Sequence, residues 1–249
     1  MRKLGLIGYP LGHSFSKKYY LAKFEKEKIA HIDYDLYPFE NLADFRSIYE
    51  SDESFAGFNV TIPHKKNVLT LLDELSPEAA QMQAVNCVRI IRENGQVILK
   101  GYNTDAYGFE QSLIPLLQPQ HRSALVFGNG GAAKAVYYSL ERLNIPYQIV
   151  SRNKENGDLT YEELTPELIA EHKLLINCSP VGTFPKIDLC PAIPYEGIGT
   201  AHLLYDLIYN PEETLFLTKG KERGAAVKNG YEMLVLQAEK NWMIWNEQL

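Results

Sequence analysis

A lysine and an aspartate, each closing a run of small polar residues, offer proton-transfer chemistry. Lys65 ends Asn59-Val60-Thr61-Ile62-Pro63-His64-Lys65, and Asp105 ends Gly101-Tyr102-Asn103-Thr104-Asp105. A free lysine has a pKa of about 10.4, so burial and a neighbouring carboxylate would together set its working protonation state. The pattern assigns the pair without saying which member exchanges the proton. A third segment supplies the other half of a reaction. Leu125-Val126-Phe127 reads as a buried strand feeding Gly128, Asn129, Gly130, Gly131, Ala132 and Ala133 and then a helix. A Gly-x-Gly-x-x-Ala turn in that setting cradles a dinucleotide pyrophosphate. Together these segments suggest hydride transfer, in which the alkoxide left by reduction of a ketone needs a positioned acid.

About twenty residues beyond the glycine turn, a second strand ends at Ser151, Arg152, Asn153 and Lys154. An NAD site would prefer an acid there, whereas these donors and positive charges suit the 2′-phosphate of NADP. Gly8-Tyr9-Pro10-Leu11-Gly12-His13-Ser14-Phe15-Ser16 places two hydroxyls just after a strand. Ser14 and Ser16 could donate to one small carboxylate, or cap the helix that starts near Phe15, and the two roles are compatible. His13 and His64 lie in these segments, yet the six histidines form no H-x-x-x-H or His/Cys cluster, so no metal is expected.

These groups need a frame. Residues 3–8 read as a strand, 15–28 as a helix, 31–36 as a strand, 41–51 as helical and 56–62 as a strand, with Pro63 opening a helix through Leu72. Val85 to Ile91 and Val97 to Lys100 flank Asn94-Gly95, a tight-turn signal, and predict a hairpin. After Pro119 a new alternation begins: strand 124–127, helix 131–143, strand 147–150, helix 165–172, strand 174–177 and strand 203–207. Such alternation predicts a parallel sheet covered on both faces. Tyr231, Leu234, Ala238, Trp242 and Trp245 recur at helical spacing and predict an amphipathic terminal helix.

Composition agrees with a globular α/β protein and narrows the partners. The 249 residues are 45% apolar and 22% charged, enough for one large domain or two modest ones. Lys and Arg number 25 against 31 Asp and Glu, for a net charge of -6 with no basic run, which argues against nucleic acid. Three cysteines without C-x-x-C spacing, Cys87, Cys178 and Cys190, read as reduced core thiols. No apolar run approaches the roughly 18–20 residues of a membrane span, so no membrane is expected and the setting reads as cytoplasmic.

In this order the motifs resemble the shikimate dehydrogenase family, over essentially the whole chain. Ser14 and Ser16 match its substrate-carboxylate serines, Asn59 through Lys65 its N-V-T-x-P-x-K segment, and Ala84-Val85-Asn86-Cys87 its A-V-N-T element. Gly101 through Asp105 match G-x-N-T-D, and Asn229 through Ala238 match N-G-x-x-M-L-x-x-Q-A. The resemblance implies a substrate domain with a mixed sheet over residues 1–104, completed by the terminal helix 230–249, and a Rossmann-like NADP domain with a parallel sheet over 105–229. It implies the reaction 3-dehydroshikimate + NADPH + H⁺ ⇌ shikimate + NADP⁺, a step of the chorismate route to aromatic amino acids, carried by a monomer or a homodimer.

By the same resemblance Lys65 and Asp105 form the catalytic pair, and Asn59, Thr61, Asn86 and Gln237 bond the ring hydroxyls. Ser14 and Ser16 hold the carboxylate, Tyr209 touches substrate, and Ser179 lies beside the nicotinamide. Lys17 stands where the family usually has proline, Cys87 replaces threonine, Asn129 replaces alanine, and Ser151-Arg152-Asn153 replaces Asn-Arg-Thr. Two relatives compete: a quinate/shikimate dehydrogenase of broader specificity, and a non-catalytic NADP-sensing homologue.

Overall fold

The computed structural model describes residues 1–12 and 14–246, so His13 lies outside the described residues. Two compact units divide the chain, Met1–Thr104 with Ala238–Leu249, and Asp105–Gln237. The terminal helix, expected with the first domain from residue 230, is thus divided at Ala238.

The first unit holds a six-stranded mixed sheet of β1 (Arg2–Gly8), β2 (Ile32–Pro38), β3 (Phe55–Val60), β4 (Glu74–Leu75), β5 (Cys87–Glu93) and β6 (Gln96–Tyr102), in the order β2-β1-β3-β5-β6-β4. β1 runs parallel to β2 and β3, whereas β5 is antiparallel to β3 and β6. Helices α1 (Phe15–Lys26), α2 (Phe45–Ser51) and α3 (Pro77–Met82) accompany it. The β5–β6 hairpin turns at Asn94 and Gly95, whose φ angles of 52° and 75° are those of the tight turn that Asn-Gly favours.

The second unit holds β7 (Ala124–Phe127), β8 (Tyr147–Ser151), β9 (Leu159–Thr160), β10 (Leu174–Asn177), β11 (Leu203–Asp206) and β12 (Ala226–Lys228), in the order β12-β11-β10-β7-β8-β9 with every pair parallel. Its helices are α4 (Asp105–Leu113), α5 (Ala133–Arg142), α6 (Pro166–Glu171), α7 (Leu215–Glu222) and the first part of α8 (Tyr231–Trp245). Leu125 and Phe127 of β7 join one core cluster while Ala124 and Val126 join another. Burial of both sheet faces explains why these strands read as unbroken apolar runs.

Two expectations need correction. The helix from Pro63 to Leu72 is instead a series of turns followed by a short 3-10 segment, Asn67–Leu71. An α-helix there would need the Lys65 carbonyl for its own ladder, but that oxygen accepts from the Val85 N–H at 2.8 Å. The stripe on α8 is also displaced. Tyr231 is exposed, and the buried positions are Met233, Gln237, Ala238, Asn241, Ile244 and Trp245. Two amides therefore lie on the face that periodicity assigned to apolar residues alone.

Sheet order also dictates where ligands can enter. From β1 the chain goes to β2 on one side and returns to β3 on the other, and from β7 it goes to β8 and returns to β10. At each reversal the loops leaving the strand ends diverge, which opens a crevice beyond the carboxyl edge of the sheet.

Candidate active site

In the first unit, the β1/β3 switch point gathers six of the residues singled out by sequence. Ser14 and Ser16 follow β1, Asn59 and Thr61 straddle the end of β3, Lys65 follows on the next turn, and Asn86 immediately precedes β5. Ser14 is the N-cap of α1, its hydroxyl accepting from the Lys17 N–H at 3.4 Å, so the capping reading holds. Lys17 itself pairs with Asp35 at 2.6 Å on an exposed surface.

Asn59 is buried, and its amide is fixed at both ends. Its Oδ1 accepts from the Tyr34 hydroxyl at 2.8 Å, and its Nδ2 donates to the Asn86 carbonyl at 3.2 Å. The orientation is forced because a carbonyl can only accept. Burial pushes the Tyr34 phenol far up, although a hydrogen bond with Ser16 lowers it in part, so this tyrosine joins the serine loop to Asn59 as a neutral group. Tyr34 lies in no motif. Its sequence signal was only that of a strand residue.

Asn86 makes a second clamp. Its Oδ1 accepts from the Thr104 N–H at 2.8 Å and its Nδ2 donates to the Thr104 hydroxyl at 3.0 Å, which donates onward to Asn241 Oδ1 at 2.6 Å. These bonds fix the residue before Asp105. The Lys65 turn is held by the Val85 bond to its carbonyl and by buried His64, whose Nε2 contacts the Phe39 carbonyl at 2.6 Å. Cys87 is fully buried, and desolvation pushes its thiol well up, consistent with an inert core residue.

In the second unit, Asp105 opens α4, and Gly108 one turn later lies against α8. A Cβ at Gly108 would stand 2.4 Å from the Met233 carbonyl oxygen and 3.2 Å from the Gln237 backbone nitrogen, so only glycine admits this approach. Buried Gln237 is thereby placed beside the helix that carries Asp105, and its Nε2 donates to the Leu234 carbonyl at 3.0 Å. Tyr209 lies in the loop after β11, 39% exposed.

The β7/β10 switch point brings the glycine turn and Ser179 together. Gly128 has φ +98°, a conformation that favours glycine, and an added Cβ would meet Ser179 atoms at 3.1 to 3.3 Å. Cβ atoms at Gly130 or Gly131 would meet nothing within 4 Å, which leaves open backbone for a phosphate to approach. Asn129 closes one side, its Nδ2 donating to the Asn156 carbonyl at 2.8 Å. Ala132 is the residue before α5. After β8, the Ser151 hydroxyl donates to the Asn153 carbonyl at 2.5 Å and accepts from its N–H at 3.2 Å. Arg152 is exposed. Lys154, expected beside the 2′-phosphate, is engaged elsewhere: its Nζ donates to Glu163 at 2.7 Å and to the Asp158 carbonyl at 2.7 Å. Its charge is therefore matched locally.

Asp206, which no sequence reading singled out, is fully buried at the end of β11. Its signal was an acid closing an apolar strand. Burial raises its carboxyl from the ordinary 3.8 to about 6, opposed by hydrogen bonds from Thr214, Ile208 and Asn177. The folded chain thus holds this proton more tightly than the unfolded chain, so the group favours folding below about pH 4 and that contribution is lost as pH rises through 6. Asp206→Asn is expected to unfold with on the order of 2 kcal/mol more free energy than the parent at pH 7.5, and with the same free energy near pH 4. Chemical denaturation at the two pH values checks this, and an equal difference at both would contradict it.

A parallel sheet whose first strand runs into such a glycine turn is the architecture of dinucleotide-binding proteins, and the second unit is of that class. Known proteins narrow the class. Residues 6–88 match the family model described as the shikimate dehydrogenase substrate binding domain. Shikimate dehydrogenase (NADP(+)) of Methanococcus maripaludis is 37% identical over 97% of this chain and 91% of its own length. Its counterpart from Desulforamulus reducens is 34% identical over 97% and 88%. The solved structure of shikimate 5-dehydrogenase from Thermus thermophilus, in complex with NADP(H) and shikimate, superposes with a TM-score of 0.84 at 30% identity, over 98% of this chain and 93% of that one. The chain belongs to the shikimate dehydrogenase family.

Proposed function

We propose that this protein is an NADP-dependent shikimate dehydrogenase, which reduces 3-dehydroshikimate to shikimate reversibly, in the chorismate route and in a cytoplasmic setting. The relatives' names and the ligands of the Thermus thermophilus structure support the substrate and cofactor. One observation carries the reading most directly: at the β1/β3 switch point, fixed amides and hydroxyls suit a ligand made of ring hydroxyls and one carboxylate. Such a site discriminates strongly, because an analogue lacking a hydroxyl leaves a buried group unpaired.

When bound, NADPH supplies the hydride. The chain's own residues do the rest. Ser14 and Ser16 hold the substrate carboxylate, while Asn59, Thr61, Asn86 and Gln237 orient the ring hydroxyls, with Tyr209 at the edge. Lys65 and Asp105 hold and move the proton at the substrate oxygen, where negative charge develops as the ketone becomes an alkoxide. Within the turn Gly128 to Ala132, Gly130 and Gly131 leave room for the pyrophosphate, and Arg152 offers its guanidinium to the 2′-phosphate.

The test is absorbance of reduced nicotinamide with shikimate or quinate, each with NADP⁺ or NAD⁺. Reduction with shikimate and NADP⁺ alone is expected. Comparable turnover with quinate would replace this reading by the broader-specificity one, and silence in all four mixtures would favour the sensor. Arg152→Ala is expected to raise KM for NADP⁺ by about tenfold or more, the loss of a charge-assisted hydrogen bond, while KM for NAD⁺ changes less than about twofold. Equal changes for both cofactors would remove Arg152 from the phosphate.

A further inference from the structure

Asp206 has no part in the proton transfer proposed above, yet it stands at the head of a hydrogen-bonded chain that ends in the Ser179 loop, which packs over Gly128 of the glycine turn. Its Oδ2 accepts from the Thr214 hydroxyl at 2.6 Å, and its Oδ1 accepts from the Ile208 N–H at 3.0 Å and from Asn177 Nδ2 at 3.1 Å. Ionised, the carboxylate only accepts, so it settles which way the Asn177 amide faces. Asn177 Oδ1 is then turned to Ser179, where it accepts from the N–H at 3.0 Å and from the hydroxyl at 2.7 Å. The Ser179 hydroxyl oxygen in turn accepts from the Val181 N–H at 3.4 Å.

That loop is also tied to β7, since the Cys178 N–H donates to the Phe127 carbonyl at 2.9 Å. Its next residue is the one whose backbone nitrogen and Cβ crowd the space over Gly128. Thr214 anchors the other end. It is the N-cap of α7, its side chain accepting from the Leu217 N–H while its own proton goes to Asp206. Every polar atom along this path has a defined partner, and Asn177, Asp206 and Thr214 are all fully buried.

We infer that Asp206 is a positioning residue for the dinucleotide site: through Asn177 it holds the Ser179 loop against the glycine turn, and it touches neither substrate nor reacting atoms. The identity of the dinucleotide rests on the proposed function, but the loop geometry does not.

The experiment compares Asp206→Ala with Asp206→Asn. The asparagine keeps an acceptor for Ile208 and Asn177 and turns its Nδ2 toward the Thr214 oxygen, so the geometry survives loss of the charge. In Asp206→Ala, amide hydrogen exchange at 178–182 is expected to rise about tenfold, and the calorimetric Kd for NADP⁺ by a similar factor, with the shikimate Kd unchanged. Asp206→Asn is expected to stay within about twofold of the parent on all three readouts. Asn177→Ala, which keeps Asp206, should reproduce the alanine result and serves where Asp206→Ala does not fold. Parent-like exchange in the alanine variants, or equal weakening of NADP⁺ and shikimate, would overturn the inference. A parent protein that binds no NADP⁺ would overturn the proposed function instead, while the exchange result would still decide the positioning role.

Discussion

Lys65→Ala is expected to lower kcat by roughly 10²–10⁴-fold, the usual contribution of a positioned general acid or base, with shikimate affinity changed by less than about twofold. The turn that carries Lys65 is fixed by groups other than its own side chain: the Val85 N–H takes its carbonyl, and His64 is anchored to Phe39. Removing the amine should therefore leave the backbone and the amides of Asn59 and Asn86 where they are. Ser14→Ala provides the contrast. It removes a helix cap and the proposed ligand to the carboxylate, so it should raise the shikimate Kd and cost about 1 kcal/mol of stability, with kcat largely kept. Steady-state kinetics with direct shikimate binding separates the two. Equal loss of binding in both variants would sink the assignment of roles.

Gly57→Val is expected to destabilise the first unit severely. A Cβ at position 57 would lie 2.4 Å from Trp245 Nε1 and 2.6 Å from the Val88 carbonyl oxygen. Those two atoms are hydrogen-bonded to each other at 3.0 Å, and Trp245 is 2% exposed. The valine must therefore push apart a buried pair as well as overfill the core. Overpacking costs about 1–3 kcal/mol and an orphaned buried pair a similar amount, so a loss on the order of 3–5 kcal/mol follows. The melting temperature should fall by roughly 10 °C or more. Both of the chain's tryptophans, Trp242 and Trp245, belong to this unit, so fluorescence reports its unfolding directly. An unchanged melt would mean that the indole does not pack against β3 and β5.

What the sequence made legible was whatever is decided over a few neighbouring residues. Strands β7 and β10 occupy the predicted 124–127 and 174–177, and Asn94-Gly95 turns the hairpin because both residues accept positive φ. The serine, amide and lysine positions gathered at the β1/β3 switch point were readable as motifs. Partners distant in sequence were not. Val85 diverts the Lys65 carbonyl from a helix, and Glu163 matches the charge of Lys154. The buried amides of α8 likewise defeat a periodicity built on apolar residues: Asn241 is tolerated inside because Thr104, far away in sequence, donates to it. Asp206 and Asn177 are separated by 29 positions, and only the pairing of β10 with β11 makes one chain of them.

The split of α8 gives the molecule a fixed order of completion during synthesis. Every residue from Asp105 to Gln237 belongs to one contiguous unit, so that unit can close as soon as its last strand and helix have left the ribosome. The first unit, although translated earlier, lacks Ala238, Ile244 and Trp245 from its core until the residues after Gln237 have emerged. Its aromatic wall of Tyr20, Tyr34 and Phe24 is then covered by side chains that arrive after the whole second unit, with Tyr20 donating to the Ala238 carbonyl at 2.8 Å. Nascent chains stalled before that point should carry a finished second unit and an open first unit exposed to chaperones and proteases.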